Sequence, residues 1–180
     1  MNTLVLVAHP DLDASRVNRT LLDALLTLHD SEDITVRDLY AAYPDGRIDV
    51  PAEQALVEAS QRIIFQFPLY WYSSPSLLHQ WLSEVLVDGW AYGNGGRKMA
   101  DKLINVATTI GSPAESYTAE GAVGFTIDQV LVPFAATAVF VGSTFGEPFT
   151  IFGVAENYSG DQLEADAKRY AEWVQDSPQN

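Results

Sequence analysis

The 180 residues predict an α/β fold in which a parallel sheet is covered by helices on both faces. Strand-like and helix-like segments alternate through five strands. The runs at 3–8 (TLVLVA) and 103–109 (LINVATT) are apolar without strict alternation, the pattern of strands buried on both faces. The segments HPDLDASRVN, FPLYWYSSP and TTIGSPAESY, each unusual in chemistry, follow strand-like runs, at the carboxyl ends where open α/β sheets bind ligands.

The elements follow in order. After the first strand and the turn HPDLDAS, Val17, Leu21, Leu22, Leu25 and Leu28 form one helical stripe. Residues 34–38 (ITVRD) read as a second, more exposed strand. A Pro-initiated helix is expected over 51–60. RIIFQFP is a third strand ending at Pro68, and Leu77, Leu78, Trp81, Leu82, Val85 and Leu86 mark the next amphipathic helix. A glycine-rich loop, WAYGNGGRKMADK, leads to the strand at 103–109. A short helix is expected at 124–134, a fifth strand at 136–143 (ATAVFVGS), and a last helix from Ser159, where S-G-D-Q offers a capping box. The segment from 143 to about 158 has no periodicity and is read as functional or packed on a partner. With no repeat or linker, one domain is expected over 1–180.

Composition narrows the chemistry. Hydrophobic residues make up 47% and charged residues 19%, proportions of a packed domain. The absence of cysteine excludes disulfides, thiolate metal sites and cysteine nucleophiles, so redox chemistry needs a cofactor. His9, His29 and His79 have no metal-ligand spacing, and His29 and His79 are expected to face solvent on helices. The start, MNTLVLVAHPDLD, is a poor secretory signal, and cytoplasmic location is expected. A net charge of -14 disfavours nucleic acid and anionic lipid, so a nucleotide would be held by backbone amides and hydroxyls. No G-x-G-x-x-G, P-loop or G-x-S-x-G occurs.

Each of the three segments admits two readings. His9, Ser15 and Asn18 lie at and inside a helix N-terminus, which favours a phosphate; equally, Ser15 is only an N-cap and His9 a turn residue. Phe67, Tyr70, Trp71 and Tyr72 suit a planar ring, or serve as core. Gly111, in the loop after Thr108 and Thr109, allows close backbone approach, or makes a plain turn.

Taken together, H-P with S-x-x-N after it, FPLYWYSSP, the W-A-Y-G loop, and T-T-x-G with a Tyr five residues beyond Ser112 resemble the flavodoxin-like NAD(P)H:quinone oxidoreductases, in their short bacterial members. These include the potassium-efflux ancillary oxidoreductase and the general-stress and drug-modulator reductases. The resemblance runs from residue 3 to about 153 and implies a five-stranded parallel sheet of order 2-1-3-4-5. It places His9, Ser15 and Asn18 on a flavin phosphate, and Pro68, Leu69, Tyr70, Trp71 and Tyr72 along the isoalloxazine. Thr109, Ile110, Gly111 and Ser112 give amides to the ring's pyrimidine edge, and Tyr117, the catalytic candidate, donates a hydrogen bond there. Tyr72, with Trp90 and Tyr92 contributed by the other subunit of a homodimer, lines the substrate slot.

The implied reaction is a two-electron ping-pong transfer, with NAD(P)H and then a quinone in the same slot. FMN is expected as cofactor, and FAD is the alternative if 143–158 offers a surface for adenosine. Larger members carry a His at the position of Val123, so a proton relay through that residue is lost here. Two other roles compete: a regulatory subunit docked on a membrane antiporter, and an electron carrier without substrate turnover. The aromatic wall argues against the carrier.

Overall fold

A computed structural model describes residues 1–27, 33–156 and 158–176. Its strands are β1 (Thr3–Val7), β2 (Ile34–Asp38), β3 (Arg62–Pro68), β4 (Leu103–Thr109), β5 (Thr144–Phe145) and β6 (Phe149–Ile151). The parallel sheet has the order β2-β1-β3-β4-β5, with β6 also paired to β4. The helices are α1 (Arg16–Leu26), α2 (Leu39–Ala42), α3 (Val50–Glu58), α4 (Ser76–Val85), α5 (Ile127–Val130), α6 (Val132–Phe140) and α7 (Gly160–Gln175). Among the described residues, no helix is long and apolar enough to cross a membrane.

Successive side chains of a strand point to opposite faces, and both faces are covered. Leu4 and Leu6 pack with Val57 of α3, Leu78 and Trp81 of α4, and Phe134 and Ala138 of α6. Val5 and Val7 pack with Leu21 and Leu25 of α1 and with Tyr170 and Val174 of α7. That two-sided burial explains runs that are largely apolar without strict alternation. Leu28 and His29, expected on the first helix, lie outside the described residues.

Buried charges act as anchors. Glu53 of α3, 0% exposed, accepts from Arg37 Nε at 2.8 Å, Tyr43 Oη at 2.7 Å and Trp81 Nε1 at 2.9 Å, tying α3 to β2 and α4. At the amino end of the sheet, buried Arg62 donates from Nη1 to the carbonyls of Trp173, Val174 and Asp176, at 3.2, 3.1 and 3.0 Å. The cation thereby meets the negative end of α7.

The fifth strand is where the structure corrects the sequence reading. Residues 132–140 are helical, with Phe134, Ala138 and Val141 buried at helical spacing and Pro133 in the first turn. Only the run's β-branched composition suggests a strand. The fifth column instead comes from the segment read as irregular. β5 pairs with Leu103 and Ile104, and β6 pairs with Ala107 to Thr109. Between them the chain bulges at Gly146, where Asn105 Nδ2 donates to the Glu147 carbonyl at 3.0 Å. A Cβ on Gly146 would fall 2.4 Å from that nitrogen. The Ser159 capping box forms as expected, with Gln162 Oε1 accepting from the Ser159 amide at 2.9 Å.

Candidate functional site

Three loops meet beyond the carboxyl ends of β1, β3 and β4, and hydrogen bonds tie them together. Buried Asn18, in the first turn of α1, donates from Nδ2 to Thr109 Oγ1 at 2.9 Å. The Leu69 amide donates to the Thr109 carbonyl at 2.9 Å. Tyr70 Oη stands 3.5 Å from His9 Nε2. The sequence-selected residues of these loops are thus neighbours, at the place where strand order reverses about β1 and β3.

The α1 end presents donors. Ser15 is its N-cap, with Oγ accepting from the Asn18 amide at 3.3 Å, which leaves the hydroxyl proton free. Among the described residues, the Arg16 and Val17 amides have no backbone acceptor. His9 Nδ1 accepts from the Asp11 amide at 3.1 Å, so the neutral ring carries its proton on Nε2. Burial holds this imidazole below its ordinary pKa, with Asp11 pulling weakly the other way. Asn18 Oδ1 is buried without a partner.

The β3 loop is an unusual hairpin turn. The Tyr70 and Ser73 backbones exchange hydrogen bonds at 2.9 and 3.0 Å, and Trp71 and Tyr72 between them have φ of 48° and 62°. Two positive φ values make a type I′ turn, a conformation suited to Asn-Gly. Two aromatics held there are a local strain of a kind that collects at functional sites. The strain leaves Trp71 92% exposed, with no core role.

The β4 loop is held from behind. The carbonyls of Ile110, Gly111 and Ser112 accept from the amides of Val154, Ala155 and Gly153, at 3.1, 3.3 and 2.9 Å. The Ile110 amide donates to the Ile151 carbonyl at 2.8 Å, whereas the Gly111 and Ser112 amides meet no backbone carbonyl among the described residues. Ile151, Gly153, Val154 and Ala155, from the segment read as irregular, therefore buttress this loop. Tyr117 follows a 3₁₀ turn (Ala114–Ser116), buried with its ring 5.6 Å from that of Phe152. Burial, and secondarily Tyr72, pushes its hydroxyl pKa up, so it stays a donor.

Trp90 and Tyr92 are not brought to this site within their own chain. α4 runs from the carboxyl end of β3 back towards the amino ends, and the loop after it lies there. Trp90 Nε1 donates to Glu58 Oε1 at 3.0 Å, and Lys98 Nζ reaches Glu58 Oε2 at 2.7 Å. Tyr92 packs on Phe140 with ring centroids 4.8 Å apart. A groove of about 590 Å³ between α4 and α6 stretches from Tyr72 to Tyr92. His79, read from sequence as merely solvent-facing, lines it and has Nε2 3.0 Å from Ser73 Oγ. Its aromatic neighbour in sequence, Trp81, is core, and only the helical phase separates the two.

Relatives share this architecture. An uncharacterized NAD(P)H oxidoreductase of Bacillus subtilis, YrkL, is 42% identical over 97% of this chain and 98% of its own. The glutathione-regulated potassium-efflux system ancillary protein KefG of Pectobacterium atrosepticum is 39% identical over 95% of this chain and 91% of its own. The crystal structure of general stress protein 14 of Treponema denticola in complex with FMN is 40% identical, with a TM-score of 0.91 over 97% of this chain and 98% of that one. An NADPH-quinone reductase structure from P. pentosaceus matches at 26% identity and a TM-score of 0.88, over 99% of this chain and 100% of that one. A family model described as flavodoxin-like fold matches residues 1–174, and the chain belongs to that family, whose members include NAD(P)H oxidoreductases and quinone reductases.

Proposed function

We propose that the protein is a flavin-dependent NAD(P)H:quinone oxidoreductase, one domain over 1–180, that binds FMN across the three loops. The observation that carries this reading is the strained Tyr70–Ser73 turn. Two aromatics in left-handed conformations, one almost fully exposed, are explained by a planar ring lying along the loop.

The residues present fit a flavin mononucleotide. Ser15 Oγ–H, His9 Nε2–H and the first amides of α1 are donors for a phosphate. Asn18, whose Nδ2 is committed to Thr109, offers its unpaired Oδ1 to a ribityl hydroxyl rather than to the phosphate. Pro68, Leu69, Tyr70, Trp71 and Tyr72 flank the ring. Gly111 and Ser112 supply free amides to its pyrimidine edge, while Thr109 and Ile110 fix the loop. A flavin held there supplies two-electron redox chemistry between a reduced nicotinamide and a quinone. Tyr117 and the two amides offset negative charge on the pyrimidine edge through preorganised dipoles.

The protein acts as a homodimer in this reading. The α6 face leaves Val139 and Phe140 75% and 68% exposed, beside the groove from Tyr72 to Tyr92. In this reading that face meets a second copy, and the assignment of Trp90 and Tyr92 to the wall of the other subunit's flavin slot rests on the resemblance. The similarity to KefG supports a second role, docking on a potassium-efflux antiporter. Co-purification with such an antiporter supports that role, and its absence under conditions that activate efflux removes it.

Flavin released from the purified protein and separated by chromatography tests the cofactor reading. FMN near one per chain is the expected result. FAD in its place assigns 143–158 to adenosine, and no uptake of either flavin refutes the site.

A further inference from the structure

A second, smaller cleft adjoins the Tyr72 turn. Its volume is about 330 Å³, and it is lined by Tyr72, Val123, Phe125, Gln129 and Val130. Four of these walls are apolar or aromatic, and Gln129 is the one residue among them with a carboxamide. The cleft opens beside the proposed flavin slot, since Tyr72 belongs to both and stands near Tyr117.

The carboxamide of Gln129 is oriented by the backbone. Gln129 is the third residue of α5, and Thr126 is the cap. The Gln129 amide donates to Thr126 Oγ1 at 3.3 Å, and Gln129 Oε1 accepts from the Thr126 amide at 2.8 Å. This reciprocal pair fixes which end of the carboxamide is oxygen. The other end, Nε2, carries two N–H donors and has no acceptor among the described residues.

We infer that Gln129 is a specificity-determining residue that donates from Nε2 to a carbonyl oxygen of an apolar, ring-shaped electron acceptor held in the Val123–Phe125–Val130 cleft. The inference rests on the quinone reductase reading and deepens it. In the open cleft Gln129 is exposed and its donor hydrated; a ligand that covers it is favoured if it brings an acceptor atom, because a hydrocarbon of the same shape strips that hydration without replacing the hydrogen bond. A volume of about 330 Å³ lies at the small end of ligand pockets and suits one fused ring pair rather than a long prenyl tail. Val123, Phe125 and Val130 line the cleft with apolar side chains, and among these lining residues the carboxamide comes from α5.

The test uses the flavin-loaded, oxidised protein and calorimetric titration with menadione and with 2-methylnaphthalene, its hydrocarbon counterpart. Gln129→Glu retains the capping box, in which Glu and Gln are interchangeable, but replaces the donor with an acceptor. The wild type is expected to prefer menadione, and Gln129→Glu to lose about tenfold or more in menadione affinity, as expected for an unmatched polar group. Its thermal midpoint and FMN affinity stay at the wild-type level, and its 2-methylnaphthalene affinity does not rise, since a carboxylate costs at least as much to dry as a carboxamide. Gln129→Met, which removes the donor and the side-chain half of the capping box while Thr126 still caps the helix, shows the same loss of preference with some loss of stability. If wild-type protein reduces menadione but Gln129→Glu binds it within twofold of wild type, the inference falls and the quinone reductase reading stands. If the wild type neither binds nor reduces menadione, both fall.

Discussion

Replacing Trp71 by Asn and Tyr72 by Gly together should stabilise the flavin-free protein while weakening its hold on flavin. Both native residues occupy left-handed backbone, at φ 48° and 62°, which costs an L-residue about 1–2 kcal/mol. Asn tolerates that region and Gly enters it freely, so about 2–4 kcal/mol of local strain is released across the turn. Two terms oppose the gain. Gly enlarges the entropy of the unfolded chain by about 0.5–1 kcal/mol. Tyr72, 51% exposed, gives up some burial, whereas Trp71, 92% exposed, gives up almost none. The net is about 1–2 kcal/mol, equivalent to a rise of about 2–8 °C in Tm for a chain of this length. The assay is thermal unfolding of the flavin-free double variant by far-UV circular dichroism, at two protein concentrations so that any dimer contribution is visible. Flavin affinity, titrated separately, should drop at least about tenfold for lack of the aromatic wall. A Tm below wild type at both concentrations, or unchanged flavin affinity, would refute the strain-for-function reasoning.

Two further outcomes are expected. Tyr117→Phe should slow reduction of the bound flavin by NADPH about tenfold or more, because one preorganised donor to the charged edge is lost; an unchanged stopped-flow rate removes Tyr117 from the mechanism. His9, held below its ordinary pKa by burial, favours the neutral ring in the folded state. Its burial is therefore costless above about pH 6.5 and destabilising as the pH falls through and below that value, where the unfolded chain takes the proton first. Denaturant titrations of flavin-free His9→Asn from pH 8 to 5.5 should show a smaller decline than wild type, and an identical decline contradicts the assignment.

Much of this architecture is legible in the sequence because burial on both faces writes itself as largely apolar runs without strict alternation. Thr3–Val7, Arg62–Pro68 and Leu103–Thr109 are such runs, and their carboxyl ends carry the aromatic, hydroxyl and glycine residues that meet in space. The Ser159 capping box is legible for the same local reason. The α6 helix is not. Its residues are apolar on the core side at Phe134 and Ala138 and also outside at Val132, Val139 and Phe140, which erases the helical period and leaves only Pro133 as a signal. β5 and β6 are two and three residues long, too short for any pattern, and they exist because β4 offers them an open edge. The turn at Trp71 and Tyr72 lacks the Gly or Asn that announces a type I′ hairpin, so local chemistry points away from the conformation that tertiary contacts impose. The remoteness of Trp90 from its own loops follows from the length and direction of α4, which the motif alone does not convey.

An anaerobic absorbance titration of the purified, flavin-loaded protein, first with NADPH and then with menadione, tests the quinone reductase activity. Loss of the flavin band with NADPH and its full return with one equivalent of quinone is the predicted result. A protein that takes up neither FMN nor FAD, or whose flavin band neither bleaches with NADPH nor recovers with quinone, would contradict it.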